Sequence, residues 1–170
     1  RWLTSVDFER LLAEFPPERQ RWLLLATYGG LRSSEVEKVE GQHVDLQNRA
    51  LAVPGTKTAG SCRRIPMHPR LQQELEREPL PLSGPLTKRW ANVRREIALA
   101  CVRLRIERVS PNDLRRTFAS WLKQASVDSF VVAQLLGHSS SRMVEMVYGR
   151  IDFATLERAV GELPPADGSG

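Results

Sequence analysis

Apolar residues recur at helical spacing over most of this 170-residue chain, broken by one short stretch of alternating pattern. Leu3-Thr4-Ser5-Val6-Asp7-Phe8 predicts a first helix, with Thr4 as its cap, Asp7 completing a capping box, and Phe8, Leu11 and Leu12 as the inner stripe. Phe15-Pro16-Pro17 ends it, and a more apolar helix follows over 18–28. Gly29-Gly30 stops that helix, and Ser34 with Glu37 reads as the capping box of a third. From Val44 the period shortens: Val44 and Leu46, Ala50–Val53, and Arg64–Met67 read as short strands, the last two joined by a polar, glycine-bearing hairpin that contains Lys57.

Beyond the strands the helical pattern returns. An acidic, outward-facing helix is expected over Pro69–Glu78, then a loop over 79–85, then a basic amphipathic helix from Thr87 to Arg103 with Trp90 inside. Ser110-Pro111-Asn112-Asp113 is a strong helix start, with Asn112 and Arg115 three apart on one face and Leu114, Phe118, Trp121 and Leu122 on the other. Asp128 caps the next helix and Gly137 closes it, so His138 follows directly; a further helix carries Arg142 and Tyr148. A short amphipathic helix over 151–163 uses Phe153, Leu156 and Val160, and residues 164–170 are expected to be disordered. The fold class is therefore mostly α with a small antiparallel β-sheet.

Composition narrows the partner. Net charge is +5, and between Thr87 and Arg116 nine basic residues face three acidic ones. This points to a polyanion, although a solvated basic face accounts for the same pattern. Cys62 and Cys101 have no metal-ligand spacing and read as free thiols of a cytosolic protein; His43, His68 and His138 are scattered, so no metal site is expected. No apolar run is long enough to span a bilayer. The chain opens on Arg1 rather than Met, which suggests a fragment lacking an N-terminal portion.

Taken singly, the polar residues are ambiguous. Arg32 could serve simply as a cation at a helix end, and Lys57 as ordinary soluble surface. Their joint order is more specific: Gly30-Leu31-Arg32-Ser33-Ser34-Glu35, Thr56-Lys57-Thr58, Asp113-Leu114-Arg115-Arg116-Thr117-Phe118-Ala119, Leu135-Leu136-Gly137-His138, and Tyr148. This series resembles the catalytic domain of the tyrosine recombinases, the phage-integrase family, over residues 3–163.

The resemblance implies the fold of the DNA breaking-rejoining enzymes. It also implies site-specific cutting and rejoining of duplex DNA without metal or cofactor, through a 3′-phosphotyrosyl intermediate. Tyr148 would be the nucleophile, Arg32 and Arg115 the clamp on the non-bridging oxygens, His138 a further phosphate ligand, and Lys57 the acid for the leaving 5′-oxygen. Glu35 is expected to orient an active-site cation or fix the third helix. Arg63, Arg64, Lys88, Arg89, Arg94, Arg95 and Arg142 are the expected further DNA contacts. Residues 1–163 would form one catalytic domain whose N-terminal core-binding domain is absent. The protein would be a monomer alone and a homo-tetramer on synapsed DNA, cytoplasmic, nucleoid-associated, and encoded by a prokaryote or phage.

The residue types suit that chemistry. Positioned cations stabilise the charge spread over a transferring phosphoryl group, and arginine binds phosphate bidentately without losing its proton. One position departs from the family pattern: the helix of Arg115 usually reads His-x-x-Arg, and here begins with Asn112. Asparagine donates a hydrogen bond but is no general base, so slow cleavage is expected. The alternative is a DNA-binding relative with impaired or lost turnover.

Overall fold

The computed structural model describes residues 1–55, 62–138 and 151–166. The first element is α1 (Ser5–Ala13), whose N-cap Thr4 accepts a hydrogen bond from the Asp7 N–H, and whose Phe8, Leu11 and Leu12 are buried. Next comes α2 (Pro17–Tyr28), buried along its whole second half from Trp22 to Tyr28. The one-turn α3 (Ser33–Val36) leads through a 3-10 turn (Gly41–His43) into a three-stranded antiparallel sheet, β1 (Val44–Asp45), β2 (Ala50–Val53) and β3 (Arg63–Pro66), in the order β1-β2-β3. Leu51 pairs with Ile65 and Val53 with Arg63 across the β2–β3 register. Then follow α4 (Pro69–Glu76), α5 (Val93–Leu104), α6 (Pro111–Gln124), α7 (Ser129–Leu136) and α8 (Phe153–Gly161).

The core centres on α2, which packs against both α6 and α4. Aromatic edges organise it: Phe8 meets Tyr28 at 5.8 Å and Trp121 at 5.9 Å, and Trp90 meets Trp22 at 5.6 Å and Phe15 at 5.2 Å. Helix α6 is also stitched to the chain start. The Leu3 N–H donates to the Thr117 hydroxyl, and the Trp121 indole N–H donates to the Leu3 carbonyl.

Three expectations change. Helix α3 is capped two residues earlier than the sequence suggests: Arg32 is the N-cap, and the Glu35 carboxylate accepts its backbone N–H at 2.8 Å. The basic helix begins at Val93 rather than Thr87. Before it, Pro85 pairs with Glu40, Leu86 N–H donates to the Val39 carbonyl, and the Trp90 indole, sunk in its aromatic pocket, donates to the Glu96 carboxylate. Those ties hold 85–90 out of the helix. Helix α4 is not an outward-facing acidic helix: Leu71, Glu74 and Leu75 are buried against α2, and Glu74 pairs with Arg21 at 3.4 Å and Arg77 at 3.1 Å.

The C-terminal helix docks in cis. Helix α8 packs on β3 and α7, burying Leu156, Ala159 and Val160. Its end is clasped from across the fold. Tyr28 donates its hydroxyl to the Pro164 carbonyl at 2.9 Å, so at least the start of the expected disordered tail is tied down. The His68 ring stacks on Tyr28 with centroids 5.0 Å apart. Its Nδ1 accepts the Arg70 N–H, which leaves Nε2–H to donate to the Leu163 carbonyl.

That clasp predicts acid sensitivity. Burial, with the nearby Arg70 charge, pushes His68 down to about 4 from its ordinary 6.5, the Leu163 carbonyl opposing them. A depressed histidine stabilises the fold fully above the unfolded value and loses that contribution as pH falls toward the folded one. The loss between pH 6.5 and 4 is expected to be on the order of 3 kcal/mol. Urea titrations across this range should show a shallower decline in His68→Gln than in the native chain; parallel declines would refute the assignment.

Candidate active site

The site is built where three chain turns meet a buried carboxylate. The first turn is Gly29–Arg32, between α2 and α3. Gly30 adopts φ +62°, and a Cβ there would lie 2.9 Å from the Phe118 ring, so both backbone conformation and packing require glycine. The turn presents the Gly30 carbonyl inward and leaves Arg32 half-exposed at the head of α3. The second is the start of α6, where the expected helix start is closed by a capping box between Ser110 and Asp113, and Pro111 occupies the first helical position. One turn on, Arg115 is buried.

The third is the end of α7. Asp128 caps its start, as expected. At its end, Gly137 takes φ +65°; the His138 N–H donates to the Ala133 carbonyl and the Gly137 N–H to the Gln134 carbonyl, a Schellman closure. His138 therefore leaves the helix in a fixed direction. The Leu136 carbonyl, left without an intrahelical partner by the helix end, accepts Arg115 Nη2 at 2.6 Å. Arg115 Nη1 donates to the Gly30 carbonyl at 2.6 Å, so this one side chain bolts the first turn to the third.

Glu35 lies at the centre. It is only 2% exposed, and its carboxylate accepts from Arg32 Nη1 at 2.9 Å and from Arg63 Nη1 and Nη2 at 2.9 and 3.1 Å, with Arg115 Nη1 at 3.5 Å. Burial alone would raise its pKa, but the hydrogen bonds and charge of Arg63, the Arg32 N–H and the Arg115 charge outweigh it and hold the carboxyl below its ordinary value. One carboxylate thus gathers three guanidiniums, leaving the cluster with a net positive charge.

The cations act on one another and on the histidine. Burial, then the charges of Arg32 and Arg63, press Arg115 toward its neutral form while Glu35 opposes them. A guanidinium keeps its proton at neutral pH nonetheless. His138 is depressed by burial and then by Arg115, Arg32 and Arg63, which favours neutral imidazole. The structure therefore brings together Arg32, Glu35, Arg115 and His138.

Other expected residues fall elsewhere. Lys57, Arg142 and Tyr148 lie outside the described residues. Asn112 is exposed on the first turn of α6, one helical step before Arg115. Lys88 and Arg89 are exposed in the segment before α5, and Arg94 and Arg95 are exposed on α5. Arg64 is exposed on β3, 3.5 Å from Asp45 and stacked over the Phe153 ring at 4.5 Å. Arg63 corrects the sequence reading: expected as a DNA contact, it points inward and spends its fork on Glu35 and its Nε on the Leu135 carbonyl at 2.8 Å. Strand alternation sends one of Arg63 and Arg64 inward, but the pair alone does not say which. Among the described residues no cluster of His, Cys, Asp and Glu could hold a metal ion, and no helix is long and apolar enough to cross a membrane.

Comparison with known proteins places this geometry. Residues 84–155 match the phage integrase family. The tyrosine recombinase XerA of Thermococcus kodakarensis is 29% identical over 177 aligned positions, covering 92% of this chain and 60% of the relative, so the chain spans about three fifths of that protein. The integrase of mycobacterium phage Brujita superposes with a TM-score of 0.77 at 25% identity, over 97% of this chain and 58% of the other. The Tn1549 transposon integrase, solved in complex with circular intermediate DNA, superposes at 0.69 with 18% identity, over 93% of this chain and 65% of the other. Fold, motif order and relatives agree: the chain belongs to the phage integrase family of tyrosine recombinases.

Proposed function

We propose that this chain is the catalytic domain, over residues 1–163, of a site-specific DNA recombinase that cuts and rejoins strands through a covalent tyrosyl intermediate. The observation that carries the reading is the Glu35 cluster, in which one buried carboxylate holds three guanidiniums beside His138. Such a preorganised excess of positive charge suits a phosphodiester whose oxygens gain charge in the transition state. Arg115 uses three of its five N–H groups on Gly30, Leu136 and Glu35, which fixes its plane and leaves two donors for a phosphate. Arg32, with 41% of its side chain exposed, supplies the more accessible half of the clamp.

In this mechanism the Tyr148 phenol gives its proton to water, His138 or the phosphate, and its oxygen attacks phosphorus, forming a 3′-phosphotyrosine. The bond to the 5′-oxygen breaks, and Lys57 donates the proton that makes the leaving group a hydroxyl. His138, neutral in its cationic surroundings, hydrogen-bonds the same phosphate. Attack by another strand's 5′-hydroxyl reverses the steps and completes exchange. The phosphodiester energy is stored in the covalent link, so no nucleotide cofactor enters. The partner is duplex DNA, bound by a surface that includes Arg64, Lys88, Arg89, Arg94 and Arg95, with a core-binding domain and tetrameric synapsis in the full-length protein.

Asn112 favours a second reading, a DNA-binding relative that has lost turnover. A nicked suicide substrate separates the two. The first reading expects a covalent protein–DNA adduct that the Tyr148→Phe variant does not form, while a native chain that binds its cognate site and forms no adduct supports the second.

A further inference from the structure

Arg63 is the one member of the cationic cluster with no role in the phosphate clamp, and it is buried deeper than Arg32. Its side chain is 10% exposed against 41% for Arg32. Both Nη atoms are bound to Glu35 and Nε to the Leu135 carbonyl, so none of its three nitrogens is without a protein partner. It also lies flat against the closing turn of α7: a Cβ on Gly137 would stand 2.8 Å from Arg63 Cδ and 3.1 Å from Nη1. The last two carbonyls of α7, Leu135 and Leu136, are thus taken by two different arginines from two different elements, β3 and α6.

We propose that Arg63 is a positioning residue for strand transfer: it locks the Leu135–His138 turn to Glu35, so that the histidine and the two clamp arginines are held in one rigid frame. This rests on the proposed strand-transfer function, with Arg63 acting through its neighbours and not on DNA. The physical reason is geometric. A helix end with free carbonyls can fray, and fraying of α7 would move His138 and the Arg115 anchor at Leu136 together. A planar fork satisfying a carboxylate and a carbonyl at once resists that motion in a way a lysine cannot.

The test uses Arg63→Met and Arg63→Lys in the full chain, with two readouts. One is the NMR titration of the His138 ring, which feels the charges of Arg115 on α6, Arg32 at the head of α3 and Arg63 on β3, the three arginines that Glu35 gathers. The other is single-turnover cleavage of a suicide substrate, separated into saturated rate and half-saturating DNA concentration. Arg63→Met is expected to move the His138 midpoint upward, because one neighbouring positive charge is lost. It should also lower the saturated rate about 10²-fold, the scale of a misplacement near 1 Å, with the half-saturating concentration held within about threefold of native. Arg63→Lys is expected to return the His138 midpoint to its native position while the saturated rate stays depressed.

A native rate in Arg63→Met overturns the proposal. So does a pattern in which half-saturation weakens, the salt dependence of binding falls by about one ion, and the saturated rate is intact, since that marks a phosphate contact. If the methionine variant does not fold, Arg63→Lys decides: a reduced saturated rate at native half-saturation supports the role, and a native rate ends it. Should the native chain prove unable to cleave DNA, hydrogen exchange at the Gly137 and His138 amides, whose bonds close α7, still judges the frame apart from the chemistry. Protection of those amides unchanged by Arg63→Met would then overturn it.

Discussion

Replacing Glu35 by alanine is expected to destabilise the protein by about 3–5 kcal/mol, the range found when one partner of a buried ion pair is removed. The size follows from what is left behind. Arg63 and Arg115, both nearly buried, would face Arg32 with no counter-charge, and the Arg32 N–H would lose its acceptor. Glu35→Gln keeps the shape and one acceptor oxygen, and should fall between the native and alanine forms. Urea denaturation measures this directly, as a drop in midpoint at unchanged slope. A midpoint within the scatter of an ordinary surface substitution would mean that the arginines relax into solvent and that Glu35 does not hold the cluster together.

Replacing Asn112 by histidine is expected to speed cleavage, on the order of 10²-fold, the lower end of what a positioned general base contributes. Asn112 is exposed on the first turn of α6, three residues before Arg115. The cap itself uses Ser110 and Asp113, whose side chains bond at 2.6 Å, so the substitution leaves the helix start intact. The positive end of the helix also favours neutral imidazole, the form able to accept a phenol proton. Single-turnover cleavage of a suicide substrate provides the measurement. An unchanged rate would show that the proton leaves by another route, through water, His138 or the phosphate.

Local signals in the sequence are legible where a short motif dictates a short-range geometry. The Thr4, Ser110 and Asp128 caps, the Gly137 closure and the two longer strands all depend on residues within a few positions of one another. Arg32, Glu35, Arg115 and His138 were recognisable because their motifs carry them in order, and the fold then brings them together. The misplacements share a different cause. Helix α5 starts late because Trp90 and Leu86 answer to Phe15, Trp22 and Val39, tens of residues away. Helix α4 turns Glu74 inward because Arg21 supplies a partner for it. Arg63 was placed on the outside because a basic dipeptide on a strand has no sequence mark for which member turns inward; only the buried Glu35 decides.

The clasp at the chain end also bears on synthesis. Tyr28 and His68 are made early, whereas the carbonyl that Tyr28 holds belongs to a residue 136 positions later. At typical elongation speeds of about 5–20 residues per second, the phenol waits roughly 7–27 s for its acceptor. During that interval the α2 core can assemble against α4 and α6, and α8 finds its seat on β3 and α7 before the clasp on its far end can close. A chain broken off before Leu163 would therefore keep every arginine of the cluster and lack both the Tyr28 and the His68 fastening of its C-terminal helix.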